Sequence, residues 1–113
     1  MIVKAVQDVP ATPVTEAGAR GTTIRWLFNS PDGVPTFAMR YFVVSPGGST
    51  PRHAHPWEHE VFVLQGKCTA FCEGETRNVG SNQAINIEPG AIHSFSNDGT
   101  EDLVFLCMIP LQQ

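Results

Sequence analysis

The chain has 113 residues, enough for one domain that buries roughly two thirds of its unfolded surface without staples. Apolar residues make up 42% and charged residues only 16%, which excludes a disordered tail and a coiled coil and suits a β-rich globule. A net charge of -4, with the seven Lys and Arg scattered, argues against a nucleic-acid partner, which needs a basic stripe.

The opening MIVKAVQDV reads as a strand over residues 2–9, cut off from the body by a loop over residues 10–21 (PATPVTEAGARG). Residues 1–21 are therefore expected to form an arm that adds to a sheet edge, the chain's own or a partner subunit's. The opening lacks the apolar stretch of about 7–15 residues that marks a signal peptide. The longest uncharged apolar run, residues 103–109, falls far short of the ~20 residues a membrane span requires. A cytoplasmic protein with no membrane partner is the expectation.

Beyond the arm, turn signals recur every several residues: SPDGVP at 30–35, SPGGS at 45–49, Gly66, EGE at 73–75, Gly80, EPG at 88–90 and NDGTE at 97–101. Between them lie β-branched and aromatic runs: TTIRWLF, TFAMRYFVV, EVFVL, CTAFC, QAINI, HSFS and DLVFLCMI. No stretch carries a sustained helical stripe with caps. Short strands with Gly and Pro punctuation predict an all-β sandwich or barrel. In TFAMRYFVV, Arg40 sits among apolar neighbours and either faces solvent or points into the barrel as an anion hook. In DLVFLCMI both faces are apolar, and the face of Phe105 and Cys107 is the one assigned to the lumen.

The cysteines, Cys68, Cys72 and Cys107, are odd in number and lack C-x-x-C spacing. On one strand, Cys68 and Cys72 stand ~13 Å apart, beyond the ~7 Å that a disulfide spans between Cα atoms. Three reduced thiols are expected.

Three of the four histidines fall within seven positions of RHAHPWEHEVFVLQG, as His53, His55 and His59. His53 and His55 are two apart, so in extended chain both leave the same face, close enough to lean onto one ion. Pro56 ends the regular ladder, so PWE makes a bulge or short turn, with Trp57 at the rim or in a dimer contact. The chain then resumes at HEVFVL, where His59 and Glu60 are adjacent and only one of them faces inward. Either is a competent metal ligand. His93 follows the turn EPGAI and supplies a ligand from a separate strand.

These residues resemble the first motif of the cupin superfamily, G-x5-H-x-H-x3,4-E-x6-G. Gly47 stands at the right distance before His53, and Glu60 and Gly66 close the motif with one residue fewer before the glycine. Gly80, Gly90, His93 and Asn97 echo the second motif, G-x5-P-x-G-x2-H-x3-N, although Pro89 here abuts Gly90 and the gap from Gly80 is longer. The resemblance covers about residues 36–109. It implies a single cupin domain over residues 1–113, built as a double-stranded β-helix barrel of the jelly-roll kind with a metal in its mouth.

Most members of that superfamily use three histidines and the glutamate. The compact single-domain members that carry an HPWEHE core resemble this chain more closely, and there a fourth histidine replaces the glutamate. The resemblance therefore implies His53, His55, His59 and His93 as ligands, with Glu60 as the alternative to His59. It also implies manganese as the ion, while imidazole donors in general suit Fe, Ni, Zn and Cu. An oxygenase-like, metal-dependent enzyme acting on a small organic molecule is the expected function. A non-catalytic binding or sensor module, whose metal holds the ligand or the fold, is the alternative. Edge strands that need cover, together with the arm, lead to the expectation of a homodimer.

Overall fold

The computed structural model describes residues 1–112. The chain folds almost entirely into strands: β1 (Thr12–Pro13), β2 (Arg20–Phe28), β3 (Phe37–Ser49), β4 (His59–Gln65), β5 (Cys68–Cys72), β6 (Glu75–Val79), β7 (Ala84–Ile87), β8 (His93–Ser96) and β9 (Leu103–Pro110). The ladder runs β6-β5-β8-β3-β9-β4-β7, with β2 on the flank of β3 and β1 on β2. The result is a nearly closed antiparallel barrel, the all-β architecture expected from the spacing of the turns. Among the described residues no helix is long and apolar enough to cross a membrane.

The thirteen-residue β3 is long enough to serve both halves of the barrel. Its first part pairs with β9 from Phe37 to Val44, and its last residue, Ser49, pairs with Ser96 of β8. Period-two alternation then sorts the side chains. Phe42, Val44, Val61, Val63, Leu103, Phe105 and Cys107 are buried together in the core. Register lays Ile24, Phe42, Phe105 and Val63 across four strands in one inward row, and Phe42 stacks on Phe105 at 5.0 Å. The β4–β5 turn closes on Gly66 at φ +86, where a Cβ would meet the Asp102 carbonyl oxygen at 2.6 Å.

Two expectations are corrected. Residues 2–9 are not a strand: Val6–Asp8 makes a single 3-10 turn. Pro10 lacks the N–H a ladder needs, and the carbonyls of Val6 and Val9 instead accept hydrogen bonds from Arg25 Nη1 at 2.6 and 3.0 Å. Lys4 adds an ion pair to Asp32 at 2.6 Å, so the arm is laid down on its own chain. The loop over residues 10–21 is also not wholly irregular, since β1 pairs with Ile24 and Thr23 of β2 and β2 itself begins at Arg20. The three cysteines are all free, and Cys68 and Cys72 stand at the two ends of β5 as their spacing implies.

Asn97 is the polar residue the core is built around. It is fully buried; its Nδ2 donates to the carbonyls of Val44 and Glu101 at 2.8 Å each, and its Oδ1 accepts from Gly99 N–H at 2.9 Å. Replacing it with alanine leaves those backbone groups unpaired, so Asn97→Ala is expected to lower stability by about 3 kcal/mol in urea titration. Thiol titration of unfolded, unreduced protein should count three free thiols.

Candidate metal centre

The histidines come from three chain segments held at one end of the barrel. His53 and His93 exchange backbone hydrogen bonds, N–H to carbonyl, at 3.1 and 3.0 Å, which ties the H-x-H segment to the start of β8. The Gly90 N–H donates to the His55 carbonyl at 2.6 Å, fixing the second histidine against the turn that delivers His93. His59 opens β4 and is buried, facing the same way as Val61 and Val63. Glu60 points outward instead, and its carboxylate accepts from Asn86 Nδ2 at 3.3 Å beside Glu58. Phe62 and Leu64 share that outward side of β4, and Leu64 is exposed.

The four rings form a cluster. Centroid separations are 4.1 Å for His53–His55, 5.2 Å for His53–His93, 5.1 Å for His55–His59 and 4.7 Å for His59–His93. Ligand nitrogens of His53, His55 and His93 lie within 4.8 Å of one another, and His59 stands beside that trio rather than within it.

Their hydrogen bonds fit a cation at the centre. His53 Nδ1 meets the Glu16 carboxylate at 2.8 Å and His93 Nδ1 meets the Ala91 carbonyl at 2.9 Å. Both partners only accept, so Nδ1 carries a proton in each ring, which leaves Nε2 as the atom that can face an ion. His59 Nδ1 lies 3.4 Å from Cys107 Sγ, and its Nε2 is buried with no partner at all. Nε2 of His53 and of His55 approach to 3.1 Å. Two imidazole nitrogens about 2.0–2.1 Å from one ion would stand roughly 2.9 Å apart at a right angle and 3.4 Å apart at a tetrahedral one. The observed spacing falls between them.

Burial, aided by repulsion among the rings and from Arg40, pushes His55 down to about 4 and His59 down to about 3, and lowers His93. Neutral imidazole is the form a metal requires. The sequence candidates Arg40, Phe105 and Cys107 line one cavity of about 300 Å³ together with His53, His59 and His93. Arg40 Nη2 donates to Cys107 Sγ at 2.8 Å, and Cys107 in turn touches His59. Trp57 is half-buried at the rim, stacked on His55 at 4.6 Å. Three surface grooves are larger, at about 390, 490 and 710 Å³, and none of them is lined by a histidine.

Sequence reasoning missed Glu16, which lies in the presumed loop, and the wall residues Val14, Ile24 and Trp26. No motif marks Glu16. Trp26 was recoverable, since register places it beside Arg40 and Arg40 beside Cys107.

Fold and site together define a β-barrel with a histidine cluster at its mouth. Residues 40–109 match the family model for the cupin domain, cupin-2 type. The chain belongs to the cupin superfamily. It superimposes on the polyketide cyclase RemF from Streptomyces resistomycificus with a TM-score of 0.92 and 40% identity, covering 99% of this chain and 80% of that one. A cupin-2 domain structure from Rhodospirillum rubrum gives a TM-score of 0.86 at 28% identity, over 99% of this chain and 76% of that one. The 1-methylthio-D-xylulose 5-phosphate methylsulfurylase of Rhodospirillum rubrum is 33% identical over 90 residues, which are 80% of this chain and 56% of that protein. The chain thus spans little more than half the length of that curated relative.

Removal of an inward ring should hurt metal binding far more than removal of the outward acid. His59→Ala is expected to weaken metal affinity by more than about 100-fold, and Glu60→Gln by no more than about tenfold, in competitive chelator titration. Between about pH 6.5 and 4, the unfolded metal-free chain takes up protons that the folded His55 and His59 refuse. Stability of EDTA-treated protein is therefore expected to be full above pH 6.5 and to fall as pH drops towards 4, as read from urea midpoints.

Proposed function

We propose that this cupin is a metal-dependent enzyme acting on a small, largely apolar organic molecule through one of its oxygens. The observation that carries the reading is the convergence of four imidazoles, three of them lining a cavity walled by Phe42, Phe95 and Phe105. His53, His55, His59 and His93 would hold a divalent ion, with manganese the assignment implied by the four-histidine resemblance and Fe, Ni, Zn or Cu suited to the donor set. Because four imidazoles carry no charge, the bound ion would supply a Lewis acid of full +2 charge for a substrate oxygen.

The chain's own residues do the rest. Glu16, the Ala91 carbonyl and Cys107 hold three rings in orientation through Nδ1. The stacked pair Phe42 and Phe105, with Phe95 edge-on to Phe105 at 5.4 Å, presents flat apolar surface that orders a planar substrate and sheds water. Similarity to a polyketide cyclase across nearly the whole chain supports carbonyl chemistry, such as ring closure, before oxygenase-like chemistry. The oxygenase-like reading draws on the same donor set, in which His53, His55, His59 and His93 would hold the ion.

A homodimer belongs to this proposal. Tyr41, Leu106 and Phe62 form an apolar row across the outer face of β3, β9 and β4, beside Met39 and Met108, and Phe37 stands exposed at its end. A second copy covers such a face economically.

Metal analysis should find close to one divalent ion per chain. Metal-loaded protein, screened against aromatic 1,3-dicarbonyl compounds, is expected to convert at least one of them equally under nitrogen and air. Conversion in air alone would select the oxygenase-like reading, and metal binding without conversion would leave a binding module. Light scattering should give a mass near twice the 12.3 kDa of one chain.

A further inference from the structure

Arg40 is a cation on the inner face of the barrel without an anion to match it. It lies mid-way along β3, and register sets it between Trp26 of β2 and Cys107 of β9 on the row that faces the cavity. Its guanidinium sits over the rings of Trp26 and Phe42, at 5.5 and 5.1 Å from their centroids. Those faces fix its plane. Of the five N–H donors a guanidinium carries, the one engaged is Nη2, which meets the Cys107 sulfur, a weak acceptor, at 2.8 Å. Nε is buried with no partner.

Among the described residues no carboxylate lies within ion-pair distance of Arg40. Glu16 is the one acid lining the cavity, and it is committed to His53 at 2.8 Å. A structural arginine in such a place would be paired, because a desolvated and unmatched charge is costly. Its free donors instead share a cavity of about 300 Å³ with three of the four histidines, at the small end of the range for ligand sites.

We propose that Arg40 selects the substrate: it binds an anionic oxygen, carboxylate or enolate, on a planar apolar molecule whose other end reaches the histidine cluster. This rests on the metal-dependent reading for the far end of the ligand, but Arg40's own part stands without the ion. A guanidinium reads a carboxylate through paired N–H donors, and the aromatic walls accept the flat body between the two ends. A phosphate ester is disfavoured, because one guanidinium balances only part of its charge of about −2 and the wall is mostly hydrocarbon.

The test compares 2-naphthoate with the neutral, equal-sized 2-naphthamide by calorimetry, on metal-loaded and on EDTA-stripped protein. Naphthoate is expected to bind about tenfold or more tightly than the amide in both forms, the range for hydrogen bonds to charged groups. Arg40→Met should erase that preference, leave amide affinity within about twofold and keep the metal content. Equal loss of both ligands in Arg40→Met would mean a packing role and overturn the proposal, as would an unchanged preference. If Arg40→Met does not fold, the wild-type comparison in the stripped protein decides. A preference that vanishes when the metal is removed assigns the anion to the metal and sinks the role of Arg40. Absence of metal with the preference intact would sink the metal reading alone.

Discussion

Two backbone hydrogen bonds between His53 and His93 are the joint on which the site depends. They bridge a segment that has just left β3 and a strand that has just emerged from the 88–92 turn. Because the two residues face each other across that bridge, their rings are delivered side by side before any metal is considered. His55 follows by the two-residue period, and the Gly90 N–H pins its carbonyl. The buried Asn97 then anchors the far end of the same strand to β3, so the register of β8 is set from both sides.

Much of this was legible in the sequence, for identifiable reasons. Turn residues and period-two alternation marked most strands, because burying one face of a pleated sheet leaves that signature. The adjacency of His59 and Glu60 posed a binary question that parity alone left open. Burial of Val61 and Val63 beside His59 answers it for orientation. What escaped had no such imprint. The edge strand β6 is nearly all exposed and polar, so its residues alternate nothing. The arm looked like a strand because Ile2, Val3, Val6 and Val9 are β-formers, yet Arg25 captures its carbonyls. Glu16 acts through a contact to His53 across 37 positions of chain, which no local pattern encodes.

Arg40, imidazole rings and aromatic faces line the cavity with a single acid, Glu16, held 2.8 Å from His53, while carboxylates such as Glu58 and Glu60 sit on the outer surface with Asn86. The Arg40 guanidinium lowers the pKa of His55, His59 and His93 and favours an incoming anion. The same arrangement keeps the imidazoles ready as donors at neutral pH.

The contact between Glu16 and His53 makes the arm a participant in the site. Val14 and Thr15, its neighbours in sequence, are also part of the cavity wall. One short segment therefore touches both the shape of the chamber and the aim of an imidazole. That segment is tied to the barrel by the Val14 N–H bond to the Thr22 carbonyl at 2.9 Å, next to the short β1–β2 ladder. Substitutions there would retune the ion and the accepted guest in a single step. Such pleiotropy offers a physical route by which one barrel diversifies its chemistry while its four imidazoles stay fixed.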